Sequence, residues 1–264
     1  MFGAIYGDIV GSVYEFRNLK DKKAPHFING CHFTDDTVMT LAVADALLQC
    51  KDAANDIENF KKNLVSSMHK LGKAHLKAGY GNRFYTWLVI RCEEPYYSFG
   101  NGSAMRVSPV AWYAKTLEET KILAEASASV THDHPEGIKG AVATACAIWL
   151  ARNGTRKEDI KAYIQKYYYS IDFTLDEIRP YYRFDATCQG SVPQALEAFF
   201  ESESFEDAIR NAISIGGDSD TIAAITGSVA EAYYGMTQTQ KEKALSYLTD
   251  DLRDIAKRFE ERIL

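Results

Sequence analysis

The chain has 264 residues and carries 30 Lys and Arg against 36 Asp and Glu, a formal net charge of −6. Such an acidic chain makes a poor general nucleic-acid binder, because phosphate contact needs clustered Lys and Arg. A hydrophobic content of 46% with 25% charged residues excludes disordered and fibrous classes. It suits a soluble enzyme or a holder of divalent cations, on a chain long enough to bury a sizeable core.

No apolar run approaches the roughly 20 residues that span a bilayer. The longest, Val142 to Ala151, reads as a buried helix, so no membrane association is expected. No basic segment precedes the first apolar stretch, and Asp8 and Glu15 interrupt it, so a signal peptide is not expected. The five cysteines (Cys31, Cys50, Cys92, Cys146, Cys188) are scattered and form no C-x-x-C pair. That usage fits reduced thiols and a cytoplasmic location.

Helical spacing prevails along the chain. Phe2, Ile5, Tyr6, Ile9, Val10 and Val13 recur at one helical period, and Glu15 closes that segment. Gly3, Gly7 and Gly11 form a second row at i, i+4. Each glycine weakens a helix by roughly 1 kcal/mol, so its expected benefit is close approach of another backbone. Further helices are expected at 37–49, 56–77, 84–90, 105–113 and 117–130. Pro135 suits the first turn of a helix running to about Arg152, and another spans 158–169. Residues 170–192 are the least regular. Pro193 is expected to open a helix to Phe200, and Ser204 with Asp207 resembles a capping box for the next one. Gly216-Gly217 ends that helix, 221–234 forms another up to Gly235, and 240–262 reads as one charged terminal helix. Alternating strand patterns are scarce and no linker divides the chain. The expectation is a single all-α domain over 1–264, with a monomer as the expected state.

Two short acidic clusters stand immediately before helices: Thr34-Asp35-Asp36-Thr37 and Asp218-Ser219-Asp220-Thr221. Capping accounts for one such residue, worth about 1 kcal/mol. It accounts less well for two crowded carboxylates occurring twice, since like charges at that range repel and raise each other's pKa. A hard divalent cation relieves the repulsion, and carboxylate with hydroxyl oxygen is the donor set Mg²⁺ and Mn²⁺ prefer. Two such loops meeting in space would form a two-metal site, with ions about 3.5–4 Å apart. His132-Asp133-His134 has zinc-like H-x-H spacing but no nearby Cys, and a cap formed by Asp133, His134 and Pro135 is the better reading. Gly79-Tyr80-Gly81-Asn82 and Ser98-Phe99-Gly100-Asn101-Gly102-Ser103 are glycine-rich loops opening onto helices. Such loops present backbone N–H groups to phosphate, though neither is a P-loop.

In order, Gly7-Asp8-Ile9-Val10-Gly11-Ser12-Val13-Tyr14-Glu15, Phe33-Thr34-Asp35-Asp36-Thr37, Gly79-Tyr80-Gly81, Gly100-Asn101-Gly102-Ser103-Ala104-Met105-Arg106, Thr131-His132 and Gly216-Gly217-Asp218-Ser219-Asp220-Thr221 resemble the ADP-ribosylglycohydrolase family, the ADP-ribosyl-acceptor hydrolases. The resemblance implies an all-α orthogonal helical bundle with two divalent cations, Mg²⁺ or Mn²⁺. By position, Thr34, Asp35, Asp36, Asp218, Asp220 and Thr221 would be metal ligands, with Asp220 bridging. Glu15 matches a mobile glutamate of the family. Gly79, Gly81 and Asn82 fall on the diphosphate loop, and Ser98, Phe99 and Asn101 on the adenosine-side loop, where Phe99 is the candidate for stacking on adenine. His132 matches a histidine near the ligand.

The implied reaction is hydrolysis of the glycosidic bond between ADP-ribose and a modified protein or small acceptor, an arginine linkage being favoured over serine. Glu15, Asp35 or Asp36 would take the proton from attacking water, and which of them does so stays open. Two other readings compete. A non-catalytic ADP-ribose-binding or structural member of the same fold would have no need to keep mutually repelling carboxylates. An all-α prenyl-diphosphate enzyme would need a D-D-x-x-D motif, whereas Thr37, Val38 and Met39 follow Asp36.

Overall fold

A computed structural model describes residues 1–263. Its helices, in chain order, are α1 (Phe2–Gly11), α2 (Asp35–Leu48), α3 (Ile57–Ala74), α4 (Asn82–Val89), α5 (Gly102–Met105), α6 (Ser108–Tyr113), α7 (Leu117–Ser129) and α8 (Pro135–Arg152). They continue with α9 (Lys157–Tyr167), α10 (Leu175–Ile178), α11 (Cys188–Phe200), α12 (Phe205–Ser214), α13 (Ser219–Tyr234), α14 (Gln238–Leu245) and α15 (Asp250–Ile263). The described residues hold no strand, only an isolated antiparallel bridge between Gly100 and Thr187. The fold is all-α, and none of the described helices is long and apolar enough to cross a membrane.

The centre is the pair α1 and α13. Every residue of α1 is buried, as is every residue of α13 from Ser219 to Glu231. A helix buried on all sides has no polar face to spare, which explains the unbroken apolar and small-residue composition of both. Their glycines decide how close they come. A Cβ on Gly3 would meet Gly227 O at 2.1 Å, one on Gly7 would meet Ala223 O at 2.0 Å, and one on Gly11 would meet the Asp220 Cα at 2.5 Å. Rising numbers on α1 thus pair with falling numbers on α13, so the two run antiparallel with backbones touching. The glycine row has the role its spacing predicts.

Several boundaries differ from the sequence expectation, each for a local reason. Helix α1 stops at Gly11, where the Ser12 hydroxyl turns back to donate to Ile9 O, so Glu15 sits on the turns beyond it. The expected 105–113 helix is two pieces, because Pro109 has no N–H for Met105 O, which instead accepts from the Thr40 hydroxyl. Helix α11 begins five residues ahead of Pro193, capped by Thr187, whose hydroxyl accepts from Gly190 N–H at 3.0 Å. Only half of the expected box at Ser204 forms: Ser204 accepts from Asp207 N–H, while the Asp207 carboxylate accepts from Glu203 N–H. The charged C-terminal segment is α14 and α15, and Arg253 closes the break by donating to Leu245 O and Leu248 O.

Gly7→Ala should raise helix propensity by about 1 kcal/mol. We expect a net loss of stability nonetheless, about 1–3 kcal/mol, because the new methyl would collide with backbone that cannot rotate away. A urea midpoint equal to or above that of the parent protein would refute the close approach.

Candidate active site

The antiparallel contact delivers the N-terminus of α13 to the turns that follow α1. Glu15, Asp218 and Asp220 meet there, each with a carboxylate oxygen within 4.8 Å of the others. The N-terminus of α2 is brought to the same place by Asp8, which lies fully buried within α1. The Asp8 carboxylate accepts from Thr34 N–H (2.9 Å), the Thr34 hydroxyl (2.7 Å), Thr37 N–H (3.1 Å) and the Thr37 hydroxyl. Across the junction the Thr221 hydroxyl donates to Asp36 Oδ2 at 3.1 Å.

Capping explains less of these clusters than their sequence allows. Thr34 does cap α2, accepting from Asp36 N–H at 3.3 Å. Asp218, at the N-cap position of α13, makes no capping bond. Its Oδ2 accepts instead from Asn101 Nδ2 at 2.7 Å. Asp36 Oδ1 is buried with no hydrogen-bond partner, and Asp35 lies half-buried below Gly79.

Burial and mutual repulsion act on every carboxyl here. Desolvation, then Asp220 and Asp8, push Asp35 and Asp36 well above the ordinary aspartate range. Asp220 is raised in the same way by desolvation and Asp218. Burial lifts Asp218 to about 6 even though Asn101 donates to it. Glu15 rises to about 7 through burial and the charges of Asp220 and Asp8. An all-oxygen donor set, crowded, desolvated and with one orphaned carboxylate oxygen, fits a hard divalent cation.

These groups form one wall of a cavity of about 490 Å³. Of the other residues singled out from sequence, Gly79, Gly81, Asn82, Ser98, Asn101 and His132 also line it. Gly79 has φ +103°, and Gly81 has open space where a Cβ would stand. Asn82 begins α4, whose free N–H groups therefore open onto the cavity edge. Phe99 is placed differently. Its ring is 42% exposed and packs against His134 with centroids 5.3 Å apart, outside the cavity lining. The aromatic residues lining the cavity are Phe16, Phe84, Tyr96 and Phe184. His134 caps α8, accepting from Glu136 N–H, as the capping reading of that turn requires.

Sequence reasoning missed several contributors. Asp8 lies in the Gly7-to-Glu15 stretch that carries the resemblance, but no signal in the sequence marks a role of its own for it. Lys77, Arg83 and Arg106 also line the cavity, with Arg106 just 1% exposed. Residues 170–192 carried no recognisable motif, yet they clamp the loop around Asn101. Asn101 N–H donates to Ala186 O (2.8 Å) and Cys188 N–H to Phe99 O (3.0 Å).

Comparison with known proteins gives a consistent result. The ADP-ribosylglycohydrolase family model matches residues 1–264. The chain is 26% identical to ADP-ribosylhydrolase ARH3 of Bos taurus, over 89% of this chain and 84% of that protein. It is 27% identical to ADP-ribosylarginine hydrolase Tri1 of Pseudomonas putida (strain GB-1), over 90% of this chain and 70% of that one. A solved structure described as an ADP-ribosylglycohydrolase-related protein complex shares the fold, with a TM-score of 0.60 at 20% identity, covering 100% of this chain and 97% of that one.

Asp8→Asn keeps the shape but turns an amide towards donors that need an acceptor. We expect a loss of about 1–3 kcal/mol for each stranded donor, seen as a lower urea midpoint and faster amide exchange at Thr34 and Thr37. If relief of carboxylate repulsion dominated instead, the midpoint would rise.

Proposed function

We propose, for a chain that belongs to the ADP-ribosylglycohydrolase family, that this cavity hydrolyses the glycosidic bond between ADP-ribose and a modified acceptor, reversing ADP-ribosylation. The observation that carries the proposal is the convergence of two helix N-termini and the Glu15 turn on one buried carboxylate cluster, open to a cavity with glycine-rich edges. A binder alone has no use for carboxylates held in mutual repulsion. The arginine linkage is favoured over serine, supported by the Pseudomonas relative, whose name specifies ADP-ribosylarginine. The expected partners are ADP-ribose and an ADP-ribosylated protein or small acceptor.

Thr34, Asp35, Asp36, Asp218, Asp220 and Thr221 would hold two divalent cations, Mg²⁺ or Mn²⁺. When bound, such ions supply Lewis-acid polarisation and cancel part of the negative charge. The remaining steps fall to the chain itself. The loop at Gly79 to Asn82 and the N-terminus of α4 receive the diphosphate through backbone N–H groups. The loop at Ser98 to Asn101 bounds the nucleoside side, with Tyr96 offering the ring that lines the cavity there. Holding both ends of the ligand fixes the anomeric carbon over the carboxylates, replacing a chance encounter with a set geometry. As the acceptor departs, positive charge grows on the ribose, and the carboxylate cluster stabilises it. Glu15 stands on a turn at the edge of the cluster with a free path to the cavity. That position suits it to take the proton of attacking water, with Asp35 and Asp36 as the other carboxylates in reach.

Peptides mono-ADP-ribosylated on arginine or serine, incubated with Mg²⁺ or Mn²⁺, should release ADP-ribose, faster from arginine. No release from either linkage by protein with bound metal would sink the enzymatic reading. Asp36→Asn should lower metal affinity and turnover together while the far-UV helical signal persists, and unchanged turnover at sub-saturating metal would remove Asp36 from the ligand set. Manganese at 100 times its dissociation constant should stabilise the fold by about 2.7 kcal/mol, a rise in melting temperature of about 5–10 °C for a chain of this size. A flat melting temperature would argue against a metal site in the native state.

A further inference from the structure

His132 lies 5% exposed on the cavity wall, and the groups behind it determine which of its nitrogens carries a proton. Its Nδ1 is 2.8 Å from the Thr131 hydroxyl oxygen. That oxygen also accepts from the Arg106 guanidinium, through Nη2 at 2.8 Å. Arg106 is fixed in turn, since the same Nη2 donates to Ser127 O at 2.8 Å. Thr131 is fully buried, and its hydroxyl has no other partner among the described residues. A buried hydroxyl hydrogen needs an acceptor. Arg106 can only donate, so the acceptor is His132 Nδ1. With Nδ1 used as an acceptor, the ring proton of neutral His132 sits on Nε2.

Nε2 has no hydrogen-bond partner within the described protein and faces the cavity loop. A Cβ at Gly102 would lie 3.1 Å from Nε2, and one at Gly100 would lie 3.6 Å from it, so glycine at these positions keeps the space beside the nitrogen clear. The electrostatic setting favours an anion. Arg106 is buried with no carboxylate partner among the described residues, its Nε makes no hydrogen bond, and Arg83 stands on the same cavity. Burial and these two guanidiniums hold His132 well below the usual histidine range, so it is neutral.

We infer that Arg106 and Thr131 are positioning residues: they form a relay that fixes His132 as an Nε2–H donor to a phosphate oxygen of the nucleotide. This deepens the proposed function and rests on its reading that the cavity takes ADP-ribose. The relay itself does not depend on any ligand. A hydroxyl of the ribose could accept from Nε2 as well, but Arg106 and Arg83, neither with a carboxylate partner among the described residues, favour the phosphate.

The test has two parts. Ring ¹⁵N spectra of the intact protein, with His132 assigned by the loss of its signals in His132→Gln, should show the proton on Nε2 and Nδ1 as a hydrogen-bonded acceptor near neutral pH. A proton on Nδ1 would overturn the relay, whatever the protein does to substrates. Thr131→Val removes the hydroxyl at nearly constant shape, and Thr131→Ser restores it. Calorimetry at fixed Mg²⁺ should show Thr131→Val weakening ADP-ribose and AMP on the order of 10-fold, with Thr131→Ser close to the parent protein and adenosine unaffected. Equal weakening of adenosine would reassign the acceptor to the ribose, and unchanged ADP-ribose affinity in a folded Thr131→Val protein would overturn the proposal. If Thr131→Val does not fold, the spectra of the parent protein still decide it. Absence of ADP-ribose release in the linkage assay would count against the enzymatic reading and leave the ring proton where the spectra put it.

Discussion

The backbone contact between α1 and α13 governs everything around it. Two fully buried helices approach until only glycine fits at Gly3, Gly7 and Gly227. Close-packed interiors do not deform gradually, so this contact sets the relative position of the two helices within a fraction of an ångström. It thereby sets the distance from Asp8, on one helix, to Asp220, on the other. The helical cost of the glycines is offset by the packing they allow, and the site inherits the resulting precision.

Asp8 converts that rigid pair into a three-way junction. A buried carboxylate is costly unless hydrogen-bonded, and Asp8 accepts four hydrogen bonds from a single short turn. The turn is the N-terminus of α2, so satisfying Asp8 carries Asp35 and Asp36 to the start of α13. Two helix N-termini then aim their positive ends at one acidic cluster. That field, with the Asn101 bond to Asp218, offsets part of the repulsion. The unpartnered Asp36 Oδ1 shows that the protein alone does not complete the compensation. Hydrogen bonding suffices for a structural carboxylate such as Asp8, whereas the cavity-facing ones leave oxygen lone pairs free for a cation.

What could be read from the sequence follows from the range of each interaction. The glycine row is a local spacing with only one physical use, so its meaning survived intact. The paired acidic clusters were visible for the same reason, since repulsion within a cluster does not depend on the rest of the fold. Asp8 was hidden because its partners are 26 and 29 residues away. Arg106 was hidden because a single arginine carries no mark of burial, and its role depends on Thr131, reached only after the whole of α7. The Phe99 expectation relied on chain position alone. In the structure the backbone of that loop is clamped by Ala186 and Cys188, and the Phe99 ring packs on His134 while Tyr96 lines the cavity. Helix boundaries moved where a side chain had a nearer partner than periodicity could anticipate, as with Ser12 on Ile9 and Arg253 on Leu245 and Leu248.

The net charge of −6 takes on a definite meaning when it is divided by position. The cavity is not uniformly acidic. Its floor gathers Glu15, Asp35, Asp36, Asp218 and Asp220, while Lys77, Arg83 and Arg106 stand elsewhere on its wall. A ligand that carries both a charge-developing ribose and an anionic diphosphate finds an opposite charge for each on this cavity wall. Such complementary charge contributes to orientation as well as to binding, because each group of the ligand is favoured beside its opposite. Among the described residues no ion pair joins these carboxylates to Lys77, Arg83 or Arg106, so both signs line the one cavity without cancelling in contact. Both therefore stay available to a ligand, while hydrogen bonds fix Asp218 through Asn101 and Arg106 through Thr131.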